Sequence, residues 1–364
     1  MEKFKAYHGL PGKESHGYSG LIQVSGGPFR SENDFINATR EAGSTEVEDL
    51  QDSKSTGVSR GRKFISPEGK WQDAAHTYLH PRPQGGRHPN IHVLVESQVL
   101  KVIFDGGRAC AVETVKAKKL VVLSCGTLTT PSILERSGVG NLKVLKQAGI
   151  SASPIADLTP NETTDEIHSG QADIPALLAS KAGYFSYLSR HITGPDLDDS
   201  LEFKTGYLTN KHDLDLKAQV WAYKVQRDTA RRMAINQGEL PYRNPVFPSG
   251  SNASYAMDAV GDNAPSSASK PKKNIEYLAE DDAIIEEWIR KTLTTCWHGI
   301  GTCKMAPREQ LGVVDNSLGV YGVTGLKIAD LSIVPENVCS NTMSTALAIG
   351  EKAADIFIRE LGLA

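Results

Sequence analysis

Three segments near the C-terminus hold the side chains best suited to chemistry. In TTCWHGIGTCKM, His298 follows a helix-forming stretch and precedes two glycines. A histidine titrates near neutrality and takes up or releases a proton reversibly. Glycine lets a substrate or a flat cofactor come close to the backbone. Taken alone, the residue is more simply a core histidine whose nitrogens are satisfied by neighbours. In IADLSIVPEN, Asp330 stands in or at the end of an apolar strand. A lone acid there must find hydrogen-bond partners in the protein or in a ligand, and a turn or N-cap aspartate looks the same. In NVCSNTMSTALAIGEKAA, Asn341 and Thr342 precede the last helix. The backbone N–H groups and positive end of that helix suit an anionic or electron-rich group; plain N-capping is the alternative. Cys296, His298 and Cys303 raise the question of zinc. No second Cys/His pair has finger-like spacing, so no metal is expected.

The elements that must deliver these residues are legible around them. DDAIIEEWIRKTL puts Ile284, Ile285, Trp288 and Leu293 near helical period, with acids in the first turn. GLKIADLSIVP reads as a buried strand, and TALAIGEKAADIFIREL as a final helix stopped by Gly362. KKLVVLSCG is a continuous apolar run, as expected of a parallel strand buried on both faces. TLTTPSILERSGVG behind it reads as a turn, a short helix with Pro131 near its first turn, and a glycine stop. Strand, glycine turn and helix N-terminus make half of a nucleotide-binding unit. VLKVIFD and ACAVETV flank Asp105-Gly106-Gly107 and predict a hairpin, with the β-branched run NIHVLVES ahead of them.

Further upstream, residues 1–85 are turn-rich, with a strand expected over 20–25 and a helix over 31–42. That helix opens on SEND, where Ser31 and an acid three residues later resemble a capping box. A helix is expected over 174–190, and Leu216, Val220 and Ala230 fit one helical stripe within 213–237. Residues 260–273 are a Ser/Pro/Lys loop. There is no internal repeat.

Composition bounds the function. The 364 residues include 40 Lys+Arg and 43 Asp+Glu, a net charge of −3, and 39% are hydrophobic. That is globular composition. Near-zero net charge gives no general attraction to nucleic acid or anionic lipid. No apolar run approaches the roughly 20 residues of a membrane span, and the first residues lack the apolar core of a signal peptide. The five scattered cysteines read as reduced thiols. An intracellular location, cytoplasm or peroxisome, is favoured, although ELGLA is not an obvious peroxisomal tripeptide.

Together and in this order, the segments resemble the glucose–methanol–choline (GMC) family of flavin-dependent alcohol oxidoreductases, and within it the fungal alcohol (methanol) oxidase branch. Residues 125–141, CGTLTTPSILERSGVGN, look like the family's second signature; VLSCGT, SGLIQVS and YKVQRDTARRM look like that branch. The resemblance implies an α/β (mixed α+β) fold, with an FAD-binding Rossmann-like domain and a second substrate domain on a mixed sheet. It implies four segments. Residues 1–88 would be substrate-domain and connecting segments, 89–150 part of the FAD-binding domain, 151–285 substrate domain, and 286–364 the C-terminal part of the FAD-binding domain with the catalytic residues.

The resemblance also implies a reaction. FAD would be the cofactor, a primary alcohol would become an aldehyde by hydride transfer to flavin N5, and oxygen would be the acceptor. Partners would be a small alcohol and oxygen, with a homo-oligomer left open. By motif position, His298 would accept the hydroxyl proton and Asn341 would complete the pair. Asp330, Thr342, Met343 and the backbone of Val99 would contact FAD. This sequence departs from the family in lacking a G-x-G-x-x-G turn and the first signature, and a substrate-domain stretch between about 155 and 195 looks deleted. The chain therefore reads as a member truncated at the N-terminus, with an incomplete Rossmann-like domain. The alternative is a non-catalytic remnant or interaction module. An NAD(P) enzyme is a third reading, weakened by the same missing turn.

Overall fold

The computed structural model describes residues 5–9, 15–26, 31–50, 56–84, 88–112, 115–152, 189–204, 207–208, 213–236, 239, 242, 244–255, 273–295, 297–336, 338 and 341–363. Among them the principal helices are α1 (Glu32–Glu41), α2 (Gly126–Arg136), α3 (Leu142–Gln147), α4 (Leu214–Arg232), α5 (Ala279–Thr292) and α6 (Met343–Glu360). The strands are β1 (Lys5–Tyr7), β2 (Ile22–Val24), β3 (Val102–Asp105), β4 (Arg108–Val112), β5 (Val115–Lys116), β6 (Val121–Leu123), β7 (Ser189–Ile192), β8 (Leu201–Lys204) and β9 (Leu326–Ile328). The fold is of the α/β class. The pairs β1–β2 and β6–β9 are parallel, while β3–β4–β5 and β7–β8 are antiparallel. Among the described residues no helix is long and apolar enough to cross a membrane.

The chain divides into two compact units, Met1–Ile91 with Leu216–Thr294, and His92–Asp215 with Thr295–Ala364. The sequence reading puts 151–285 together; the division of the chain falls within that span, between Asp215 and Leu216. The expected helix over 174–190 and the loop over 260–273 lie almost wholly outside the described residues; where the helix should end, Ser189 and Arg190 belong to β7.

In the first unit, α1 forms where its apolar spacing puts it but starts differently. Ser31 is helical in backbone and makes no side-chain cap. The acids of SEND are used elsewhere, with Glu32 accepting the Gly61 N–H and Asp34 accepting the N–H groups of Ala234 and Ile235. The capping-box expectation fails because these backbone donors compete for the carboxylates. α4 buries Leu216 and Val220. Its Arg227, in YKVQRDTARRM, forks onto Glu239 and lies over the rings of Tyr255 and Phe247.

The second unit is built on β6 and β9, which pair from Val121↔Leu326 to Leu123↔Ile328. Val121 and Leu123 join Leu326 and Ile328 in a core with Ile133 and Leu134 of α2 and Ala353 and Ile356 of α6. Val122 points the other way and is 39% exposed, so β6 is covered on one face, not on two as its apolar run predicts. Pleating sends alternate side chains to opposite faces, and the helices pack on one of them. β3 and β4 form the expected hairpin through Gly106 and Gly107, whose φ of 55° and 82° suit a two-residue turn. NIHVLVES forms no strand: Val93, Leu94 and Val95 are 52%, 68% and 75% exposed.

Candidate active site

The site is assembled in the second unit from three chain segments that meet beyond the end of β9. The first is the turn after that strand. Asp330 caps the short helical turn Leu331–Ile333, its Oδ1 accepting the Ser332 N–H at 2.7 Å. Its Oδ2 accepts the Gly126 N–H at 3.0 Å and the Thr130 hydroxyl at 2.6 Å. The lone acid of the apolar run has thus found its partners within the protein, and it ties the end of β9 to the start of α2.

The second segment runs from Trp297 to Met305. Its backbone follows the Asp330 turn, with the N–H groups of Gly301, Cys303 and Met305 donating to the carbonyls of Leu331, Ser332 and Ile333. Gly301 has φ 79°, and a Cβ there would stand 3.1 Å from the Val334 carbonyl, so the close approach requires glycine. On its other side this segment meets α2. The Thr127 hydroxyl donates to the Gly299 carbonyl at 2.7 Å, and the Thr302 hydroxyl donates to the Thr127 carbonyl at 2.6 Å. His298, half-buried, is thereby presented from a braced loop.

The third segment is the N-terminus of α6. Asn341 Nδ2 lies 3.0 Å from His298 Nε2, so the two residues predicted as a pair touch. Asn341 Oδ1 accepts the Met343 N–H at 2.9 Å. An oxygen must face that donor, so the amide turns its NH2 towards the imidazole. His298 Nε2 is then the acceptor, and in the neutral ring the proton sits on Nδ1. Thr342 is buried at the N-cap and makes no side-chain cap. Met343 opens the helix, whose first turn has no acid. Val99, half-buried, packs against the core of the same unit.

Two of the sequence-predicted residues, His298 and Asn341, therefore form a contact, and Thr342 and Met343 adjoin it in the chain. Asp330 braces the loop, and Val99 belongs to a different segment of the unit. Cys296 lies outside the described residues. Thr127, Thr130 and Thr302 were not singled out by sequence reasoning, because their partners are 172, 200 and 175 residues away.

Comparison with known proteins supplies the context. Residues 23–155 and 188–350 match two family models, both described as GMC oxidoreductase. Alcohol oxidase 2 of Komagataella phaffii is 29% identical over an alignment spanning 100% of this chain and 77% of that protein. Alcohol oxidase of Candida boidinii is 28% identical, with the same shares covered. Among solved structures, an FAD-dependent oxidoreductase from Chaetomium thermophilum superposes with a TM-score of 0.72 at 19% identity, over 100% of this chain and 80% of the other.

Proposed function

The chain belongs to the GMC oxidoreductase family, and from that premise we propose that it oxidises a primary alcohol to the aldehyde with oxygen as acceptor. His298 acts as the base and Asn341 as its partner. The observation that carries this reading is the 3.0 Å contact between Asn341 Nδ2 and His298 Nε2, with the amide turned by Met343.

FAD is the cofactor expected of the family, and the residues at the flavin-ring end fit one, while the glycine turn for the pyrophosphate is missing from this sequence. The first turn of α6 has neither an acid nor a Thr342 side-chain cap. Beyond the Met343 N–H, which Asn341 Oδ1 takes, its positive end is left for an electron-rich ring beside the His298–Asn341 pair. Thr342 and Met343 would hold that ring, and the Val99 backbone the adenine end. The Asp330 carboxylate, already accepting three hydrogen bonds from the protein, would serve by bracing. When bound, FAD supplies the acceptor for the hydride and passes its electron pair on to oxygen.

The alcohol donates its O–H to His298 Nε2, and its oxygen accepts from Asn341 Nδ2. The O–H bond breaks as the proton passes to Nε2; the C–H bond breaks as hydrogen leaves with its electron pair, and the carbonyl forms. The fixed amide stabilises alkoxide character as it grows. An oxygen bonded to both nitrogens needs them about 4–5 Å apart. A bound alcohol therefore replaces the 3.0 Å contact.

The full chain, purified and mixed with FAD, is expected to show a flavin absorption band. A primary alcohol should bleach it without oxygen, and air should restore it with peroxide. A second reading, a non-catalytic member of the family, is favoured by one observation. The match to the Komagataella enzyme runs over 516 positions, more than the 364 residues of this chain, so that relative has stretches with no counterpart here. A chain that takes up no FAD supports that second reading and contradicts the first.

A further inference from the structure

Pro131 is the sixth residue of α2, not part of its first turn as the sequence suggests. In an α-helix the carbonyl of residue 127 would accept the N–H of residue 131, and proline has none. The Thr127 carbonyl accepts the Thr302 hydroxyl instead. The Thr127 hydroxyl, on a residue only 8% exposed, donates back to the Gly299 carbonyl. Two reciprocal bonds thus close a ring between α2 and the 299–302 turn, and the proline frees the acceptor that makes it possible. Gly299 directly follows His298. The opposite flank of the same loop is already held by the Leu331–Ile333 carbonyls. Thr127 therefore fixes the remaining side of the loop that carries the imidazole.

We infer that Thr127 is a positioning residue for His298: through Gly299, its hydroxyl sets where the imidazole meets Asn341. This rests on the reading of the pair given above. A displacement of about 1 Å at a reacting group can cost about 100-fold in rate, so loss of the hydroxyl is expected to act well beyond its place in the fold. It leaves the part-buried Gly299 carbonyl without its donor.

The test compares Thr127→Val, which keeps the shape and loses the hydroxyl, with Thr127→Ser, which keeps the hydroxyl. Nitrogen NMR of histidine-labelled full chain without flavin reads the tautomer of His298. The parent and Thr127→Ser are expected to show one form, protonated on Nδ1, and Thr127→Val an average of both. Flavin reduction by alcohol in the loaded protein is expected to fall about 10- to 100-fold in Thr127→Val with KM little changed, and to recover to within about threefold in Thr127→Ser. If Thr127→Val does not fold, Thr127→Ala, which also removes the hydroxyl, is expected to give the same averaging. A Thr127→Val or Thr127→Ala spectrum identical to the parent overturns the inference, and so does equal impairment in Thr127→Val and Thr127→Ser. If His298→Ala reduces flavin normally, the proposed function fails, while the tautomer spectra still decide the role of Thr127.

Discussion

Asn341 is held by its own helix: its Oδ1 takes the Met343 N–H, which commits its NH2 to His298. Truncation to alanine removes the donor to a developing alkoxide. Asn341→Ala is expected to slow alcohol-driven flavin reduction by about 100- to 1,000-fold with flavin content kept, as stopped-flow traces at saturating alcohol would report. Asp330 behaves differently. Its carboxylate receives two N–H groups and one hydroxyl, so Asp330→Ala strands three donors. The expected cost is on the order of 3 kcal/mol of stability, read as a lower urea midpoint. Unchanged stability with reduced flavin content would instead assign the carboxylate to the cofactor. The meeting of His298 with Asn341 was expected from motif position within the family resemblance, since each segment alone is a weak signal. Asp330 was legible only as an acid that needs partners; whether protein or ligand supplies them depends on Gly126 and Thr130, some 200 residues upstream.

Among the elements, local pattern decides where helices lie and tertiary contacts decide how they end. α1 spans the expected residues, yet its capping signal is false because Asp34 binds the backbone at Ala234 and Ile235. Ser31→Ala is therefore expected to be near neutral, where a working cap would cost about 1 kcal/mol. Asp34→Ala should cost about 1–2 kcal/mol, and chemical denaturation of both variants distinguishes the two arrangements. The reverse ordering would restore the capping box. That β6 and β9 are strands was legible from two apolar runs; that they pair with each other was not. The one-faced cover of β6 was not, because a run of valines is compatible with one buried face or two. Pro131 was seen as a helix-start residue; its place in the sixth position becomes intelligible only through Thr302, which satisfies the carbonyl it leaves open.

At the scale of the whole chain, the first unit contains a buried polar chain that no motif announces. Lys5 Nζ lies 2.8 Å from His16 Nδ1, and His16 Nε2 lies 2.5 Å from Asp49 Oδ2, with Tyr7 stacked on the imidazole. These residues stand apart in a turn-rich sequence without periodicity, so nothing linked them in advance. Burial lowers the Lys5 ammonium from 10.5 to about 8, against the pull of Asp49, which raises it. Between those values the unfolded chain holds a proton that the folded chain has released, so stability should rise with pH from about 8 towards 10.5. Urea midpoints on either side of that window are expected to show the rise in the parent and a smaller one in Lys5→Met; the same rise in both would acquit Lys5. The function of the molecule stands or falls elsewhere, on a proton leaving an alcohol for His298. The direct measurement is anaerobic flavin reduction by a primary alcohol in FAD-loaded parent and His298→Ala. The variant should retain its flavin and react about 100- to 10,000-fold more slowly. Equal rates in the two proteins would contradict the account.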